Sequence, residues 1–130
     1  MTVKNENPFR WIEIYVQDMD RAKAFYSAVL GVELMPLNSP GVEMVAFPMQ
    51  MEFGGASGAL VKMEGVPSGG NSTVAYFGCE DCGVEAARVE KAGGRIFKPK
   101  FSIGQYGFIA LAFDTEGNLF GLHSAPDCAH

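Results

Sequence analysis

Two polar side chains, Glu13 and His123, stand out for the chemistry they could perform together. Glu13 alternates with Trp11 and Tyr15, and residues two apart on a strand share one face. His123 lies two positions after Gly121 and shares a face with it by the same rule. A carboxylate and an imidazole converging in an aromatic pocket can move a substrate proton, as a lyase or isomerase must. The plainer reading makes Glu13 a hydrogen-bonded rim carboxylate and His123 a solvated residue near a strand end. Trp11, Tyr15 and Tyr76 are either pocket walls or packed core. The opposite row of the first strand, Ile12, Ile14 and Val16, already supplies a face for a helix to cover, which favours the pocket. Tyr76 joins the pocket face if the strand register of the second half runs through Val74.

A second cluster is built on sulfur. Cys79-Glu-Asp-Cys82 is a C-x-x-C, and His123, Cys128 and His130 would complete a zinc site if the C-terminal tail approached it. Glu80 and Asp81 raise the pKa of such thiols, which opposes a redox role. A single C-x-x-C without a second pair is a weak signal, and Cys79 also reads as a small buried strand residue. Three cysteines, an odd number, imply no disulfide framework and suit a reducing compartment. Met44, Met49, Met51 and Met63 offer either an adaptable apolar wall or ordinary core and interface filling. Gly54-Gly-Ala-Ser-Gly58 lacks the lysine and following helix of a phosphate loop, and reads as a plain loop or a flap.

The elements that position these residues occur twice. Phe9–Val16 alternates and is rich in aromatic and β-branched residues, so it predicts a strand. Asp18 can cap a helix by accepting from free N–H groups of the first turn. Ala22, Phe25, Tyr26, Val29 and Leu30 then form one apolar helical face over Met19–Leu30, and Gly31 suits the left-handed residue that ends it. Strands are expected over 32–37, 42–47 and 59–64, with turn chemistry at Asn38-Ser-Pro-Gly41. The second half repeats the plan: a strand over 72–79, a helix over 81–92 closed by Gly93-Gly94, and strands over 95–98, 107–113 and 119–124. Asp114-Thr-Glu-Gly-Asn118 joins the last two strands as a turn. Asp18 to Gly31 and Glu80 to Gly93 span the same thirteen positions, as a tandem repeat requires. The expected organisation is a single domain over 1–130. Its first βαβββ module covers 8–65, a linker 66–71, and its second module 72–126.

Composition bounds the function. At 130 residues, 48% hydrophobic and 19% charged, the chain suits one globular domain, and each half alone would bury too little. A net charge of −5 with scattered basic residues argues against nucleic acid. No apolar run approaches the roughly 18 residues that span a bilayer. The N-terminus lacks a signal peptide's apolar core, so the expected location is cytoplasmic.

Four segments carry a family resemblance: Ile14-Tyr-Val-Gln-Asp18, Phe25-Tyr-Ser-Ala-Val-Leu-Gly31, Val89-Glu-Lys-Ala-Gly-Gly94 and Phe113-Asp-Thr-Glu-Gly-Asn-Leu-Phe-Gly-Leu122. In this order and spacing the chain resembles the vicinal oxygen chelate superfamily, which holds glyoxalases, bleomycin-resistance proteins and extradiol dioxygenases. The resemblance implies an α+β fold in which two tandem βαβββ modules form a paired, curled mixed sheet around a cavity, commonly in a homodimer. It also implies a divalent metal held by His, Gln or Glu from both halves. The four ligand positions fall on Trp11, near Leu60 to Lys62, on Thr73 or Val74, and on Gly121. An indole offers a metal no lone pair, and glycine offers no side chain. The ending Gly117-Asn-Leu-Phe-Gly-Leu122 is similar to a branch described only as glyoxalase-related.

The expected function is binding of a small apolar or aromatic molecule in a pocket lined by Trp11, Tyr15, Val74, Tyr76 and Gly121, with no cofactor. The alternative is a lyase or isomerase of the glyoxalase type that uses Glu13 or His123, or one that depends on a metal held at a relocated site.

Overall fold

The computed structural model describes residues 11–37, 41–50 and 55–127. The expected start of the first strand at Phe9, the residues Asn38, Ser39 and Pro40 of the first turn, Met51, Gly54, Cys128 and His130 all lie outside the described residues.

Alternating residues Trp11–Tyr15 form strand β1, and Asp18 ends the extended run by capping helix α1, Met19–Leu30. The Asp18 carboxylate accepts from the Arg21 backbone N–H at 3.1 Å. Gly31, with φ of 68°, donates its N–H to the Ser27 carbonyl and closes the helix in the left-handed region that glycine enters without steric cost. Strands β2 (Met35–Leu37), β3 (Glu43–Ala46) and β4 (Ser57–Lys62) complete the first module. The second comprises β5 (Ala75–Gly78), α2 (Cys82–Val89), β6 (Arg95–Ser102), β7 (Phe108–Phe113) and β8 (Leu119–Ser124).

The two sheets have the same plan, β1-β4-β3-β2 and β5-β8-β7-β6. In each, the first strand runs parallel to the fourth, and the other pairings are antiparallel. The fold is therefore the expected pair of tandem βαβββ modules, built as two separate four-stranded mixed sheets. Strands β1 and β5 are each left at a sheet edge.

Neither module closes its own core. The α1 face Met19, Ala22, Phe25, Tyr26 and Val29 is buried, and its rings reach into the second module. Phe25 meets Phe120 edge-on at 5.8 Å, and Tyr26 packs against Phe120 at 5.5 Å and Phe77 at 5.7 Å. One cluster thus joins Val16, Phe47 and Leu60 to Val89, Ala110 and Leu122. Each large apolar side chain sealed in it contributes about 1.5–3 kcal/mol. The part of that gain made by Phe25 and Tyr26 against Phe77 and Phe120 needs the other half.

Several boundaries differ from expectation: β2 starts at Met35 rather than 32, β4 lies over Ser57–Lys62 rather than 59–64, and β5 covers only Ala75–Gly78 of 72–79. Helix α2 stops at Val89, and 90–93 continue as turns. Strand β6 runs on to Ser102, past Pro99, because it is an edge strand whose pairing with β7 slips at two places; there a missing N–H is tolerated. A short 3-10 turn, Gly104–Tyr106, precedes β7.

Candidate functional site

The helix-covered and helix-free faces of the sheets separate the candidate residues. On β1, Ile14 and the following Val16 pack into the core, while Trp11, Glu13 and Tyr15 share the opposite face. Glu13 braces both rings of its row: Oε2 accepts from the Trp11 indole N–H at 3.1 Å and Oε1 from the Tyr15 hydroxyl at 2.8 Å. The hydrogen bond to Glu13 is the largest cause of a raised Tyr15 pKa. Trp11 is 39% exposed, so it is not sealed in the core. Ile12 departs from its expected place under the helix. It is 37% exposed and lines a cavity between the modules instead.

On the second sheet, Phe77, Phe120, Leu122 and Ser124 turn inward, and Tyr76, Gly121 and His123 occupy the helix-free face. Tyr76 pairs with Gly121 across β5 and β8. A Cβ on Gly121 would lie 2.3 Å from the Tyr76 ring, so glycine is what lets the ring lie flat on the strand. Tyr76 is 49% exposed. His123 places Nε2 2.8 Å from the Tyr106 carbonyl oxygen. A carbonyl only accepts, so Nε2 carries the proton, and Nδ1 holds the lone pair when the ring is neutral. Val74 is half-buried just before β5. Among the described residues no hydrogen bond or ion pair joins Glu13 to His123.

Two cavities follow the seam between the modules. One, about 230 Å³, is lined by Glu13 and Tyr15 with Tyr26, Asn71, Thr73 and Phe120. The other, about 250 Å³, is lined by Ile12, Ile14, Phe47, Tyr76, Phe77 and Glu85 among others. His123 lines neither.

The positions expected to hold a metal do not suit one. Trp11 donates its only polar hydrogen to Glu13, Gly121 lies under the Tyr76 ring, and Leu60 and Val61 are fully buried apolar residues. Among the described residues no three His, Cys, Asp or Glu side chains converge. Cys79 is half-buried and Cys82 buried, both free. The Cys82 N–H donates to the Ser124 hydroxyl at 3.1 Å, and Asp81 caps α2 by accepting from Gly83. Burial first, then the charge and hydrogen bonding of Glu85, push the Cys79 thiol up to about 12. The acid that acts on this thiol is thus Glu85, in the first turn of α2, and not the adjacent Glu80 or Asp81.

Sequence reasoning missed two carboxylates. Glu116, read only as part of a turn, has a fully buried side chain. It accepts from the backbone N–H groups of Gln17 (2.7 Å) and Asp18 (3.2 Å) and from Arg21 (2.8 Å), tying the turn of the second module to the start of α1. Asp114 accepts from the buried Tyr26 hydroxyl at 2.6 Å, and Asn118 bridges Gly69 and the Tyr15 carbonyl. Burial and Asp114 together hold the Tyr26 hydroxyl well above its ordinary pKa. The available signal was Asp114, Glu116 and Asn118 at every second position of a tight turn. The second miss, Glu85, sits on the same helical face as Cys82 and Val89, a polar interruption of an apolar stripe.

Comparison with known proteins agrees with this architecture. Maize glyoxalase I superposes with a TM-score of 0.71 at 22% identity, over 90% of this chain and 44% of that one. TnmS3, an antibiotic binding protein from Streptomyces sp. CB03234, superposes with a TM-score of 0.67 at 22% identity, over 93% and 98%. A Mycobacterium tuberculosis protein named "Putative glyoxylase CFP32" is 28% identical over 120 residues, 88% of this chain and 44% of that protein. The chain thus spans less than half the length of that curated relative. A family model covers residues 9–122, and by that match the chain belongs to the Glyoxalase/Bleomycin resistance protein/Dioxygenase superfamily.

Proposed function

We propose that the helix-free faces bind a small apolar or aromatic molecule without a divalent metal. The observation that carries this reading is the row Trp11–Glu13–Tyr15, in which one carboxylate fixes two rings on a face that no helix covers. Rigid aromatic walls with few polar groups are how small-molecule sites gain affinity at low entropic cost. Tyr76, seated on Gly121, adds a third ring on the second sheet, and Val74 precedes the same strand. The structural likeness to a protein named as antibiotic binding supports the same reading. The working form is a cytoplasmic homodimer in which a second copy covers these faces. Met35, Phe97 and Tyr106 leave 58%, 55% and 66% of their surfaces open to such a partner. No nucleic acid or membrane partner belongs to this reading; no described helix is long and apolar enough to cross a membrane, and the net charge is −5.

A second reading, a metal-independent lyase or isomerase, is favoured by one observation. The contact to Tyr106 fixes the His123 tautomer and leaves Nδ1 as a base.

Trp11 is the only tryptophan, so its fluorescence reports this face. Titration with phenazine, before and after chelator treatment, should give the same saturable quenching with one site per chain. Glu13→Ala should weaken it about tenfold, because the rings lose their brace. Linear, non-saturating quenching that ignores Glu13 would sink the binding reading. Turnover of a substrate lost in His123→Ala but with binding retained would move the assignment to the second.

A further inference from the structure

The seam cavity of about 250 Å³ is a different kind of site from the aromatic row. It opens on the other side of β1, where Ile12 and Ile14 face Ala75 and Phe77 of the edge strand β5. Leu30, Val32, Phe47 and Pro48 extend the apolar wall. Among the described residues the only carboxylate in the lining is that of Glu85, from the first turn of α2; Ser57 and Tyr76 are the other polar side chains. Its Oε1 is buried and has no hydrogen-bond partner among the described residues. Native proteins pair such atoms almost without exception, because an unpaired buried carboxylate oxygen costs several kcal/mol. The contrast with Glu116, whose oxygens meet four donor atoms within 3.2 Å, shows that this fold satisfies a buried carboxylate where the role is structural.

We propose that this cavity is a second binding site, for a small molecule with a compact apolar body and one protonated amine directed at Glu85. The charge of the ligand follows from the carboxylate. Its apolar body follows from the lining. Its size follows from the volume, which is below the about 300–1,000 Å³ of pockets for drug-sized ligands. An arylalkylamine meets all three conditions. A neutral ligand would leave Oε1 without a charged partner, and an anion would be repelled. The thiol of Cys79 lies beside the same carboxylate, whose charge, after burial, helps hold the thiol protonated. Tyr76 borders both sites, but none of Trp11, Glu13 and Tyr15 lines this cavity, so each reading is tested on its own residues and either can fail without the other.

The test uses 2-phenylethylamine and its neutral counterpart 2-phenylethanol on the full chain. Binding is followed by calorimetry, with amide chemical shifts locating the ligand. The amine should bind at least tenfold more tightly than the alcohol and perturb Gly58, Ala75 and Glu85 rather than the Trp11 indole. Glu85→Gln should remove the preference for the amine, leaving the two probes equal. Ala56 is exposed at the rim of the cavity, so Ala56→Phe should block both probes while leaving phenazine quenching of Trp11 unchanged. If Glu85→Gln does not fold, Ala56→Phe decides alone. No amine binding, equal affinity for amine and alcohol in the unaltered protein, binding that survives Ala56→Phe, or shifts centred on Trp11 would each overturn the proposal.

Discussion

Glu116 and Glu85 are carboxylates of the same module, Glu116 buried and Glu85 half-buried with its Oε1 out of contact with solvent, and their surroundings are opposite. Glu116 lies in the turn between β7 and β8, where two backbone N–H groups and a guanidinium converge on it from the first module. Glu85 lies at the start of α2, where apolar side chains and the Cys79 thiol converge and Oε1 has no hydrogen-bond partner among the described residues. Burial by itself therefore does not tell a clamp from a binding group. The number of donors already in place does. A satisfied carboxylate spends its interactions on folding, whereas an unsatisfied one is held ready for something that is not part of the chain.

The contrast can be broken most sharply at Glu116. Glu116→Ala leaves the N–H groups of Gln17 and Asp18 without acceptors, and should cost about 3 kcal/mol in denaturant midpoint experiments. Most of this comes from those two donors, because the Arg21 side chain is 53% exposed and its ion pair is weakened by solvent. A loss below about 1 kcal/mol would show that the turn does not clamp the modules. A smaller effect is expected next door. Tyr26→Phe removes the 2.6 Å hydrogen bond to Asp114 but leaves Asn118 as a donor to the same oxygen at 3.2 Å. It should cost about 1–2 kcal/mol, and stability equal to the unaltered protein would mean the hydroxyl is dispensable.

The smallest effect concerns the Glu85 side of the contrast and is read by pH. A thiol raised to about 12 in the folded state, against about 8.5 when unfolded, stabilises the fold below pH 8.5. That contribution is lost as pH rises through 12. Site-resolved iodoacetamide labelling of Cys79 should accordingly stay slow at pH 9. Glu85→Gln should move the labelling profile to lower pH, because it removes a charge that opposes the thiolate. An unchanged profile would show that burial alone sets this thiol, and that Glu85 exerts no field there.

Much of this was legible in the sequence because the signals were periodic. Helix α1 begins and ends where Asp18 and Gly31 say it should, and β8 spans the alternating segment read for it. The polar-aromatic row of β1 was also legible, since alternation on a strand fixes which side chains are neighbours. What escaped depended on partners distant in sequence. Glu116 looks like an ordinary turn residue until Gln17 is brought beside it from 99 positions away. Pro99 discourages a strand except at an edge, and which strand is an edge is decided by topology. The seam cavity belongs to two modules at once, and no periodicity within either one marks it. Glu85 was the exception, a charged residue on the buried stripe of α2 that pattern reasoning could have flagged.

The reach of the Glu116 contacts has a consequence for how the chain comes into being. On a ribosome adding about 5–20 residues per second, the residues of the first βαβββ module are made well before residue 116. During that interval the N–H groups of Gln17 and Asp18 have only water to bond, and the faces of Phe25 and Tyr26 have no Phe120 to meet. The first half is thus born as an apolar surface awaiting its counterpart. Docking must bridge a loop of nearly a hundred residues before any of these contacts reward it. Nascent chains of this protein are most exposed to misassociation in the seconds before the second turn is made.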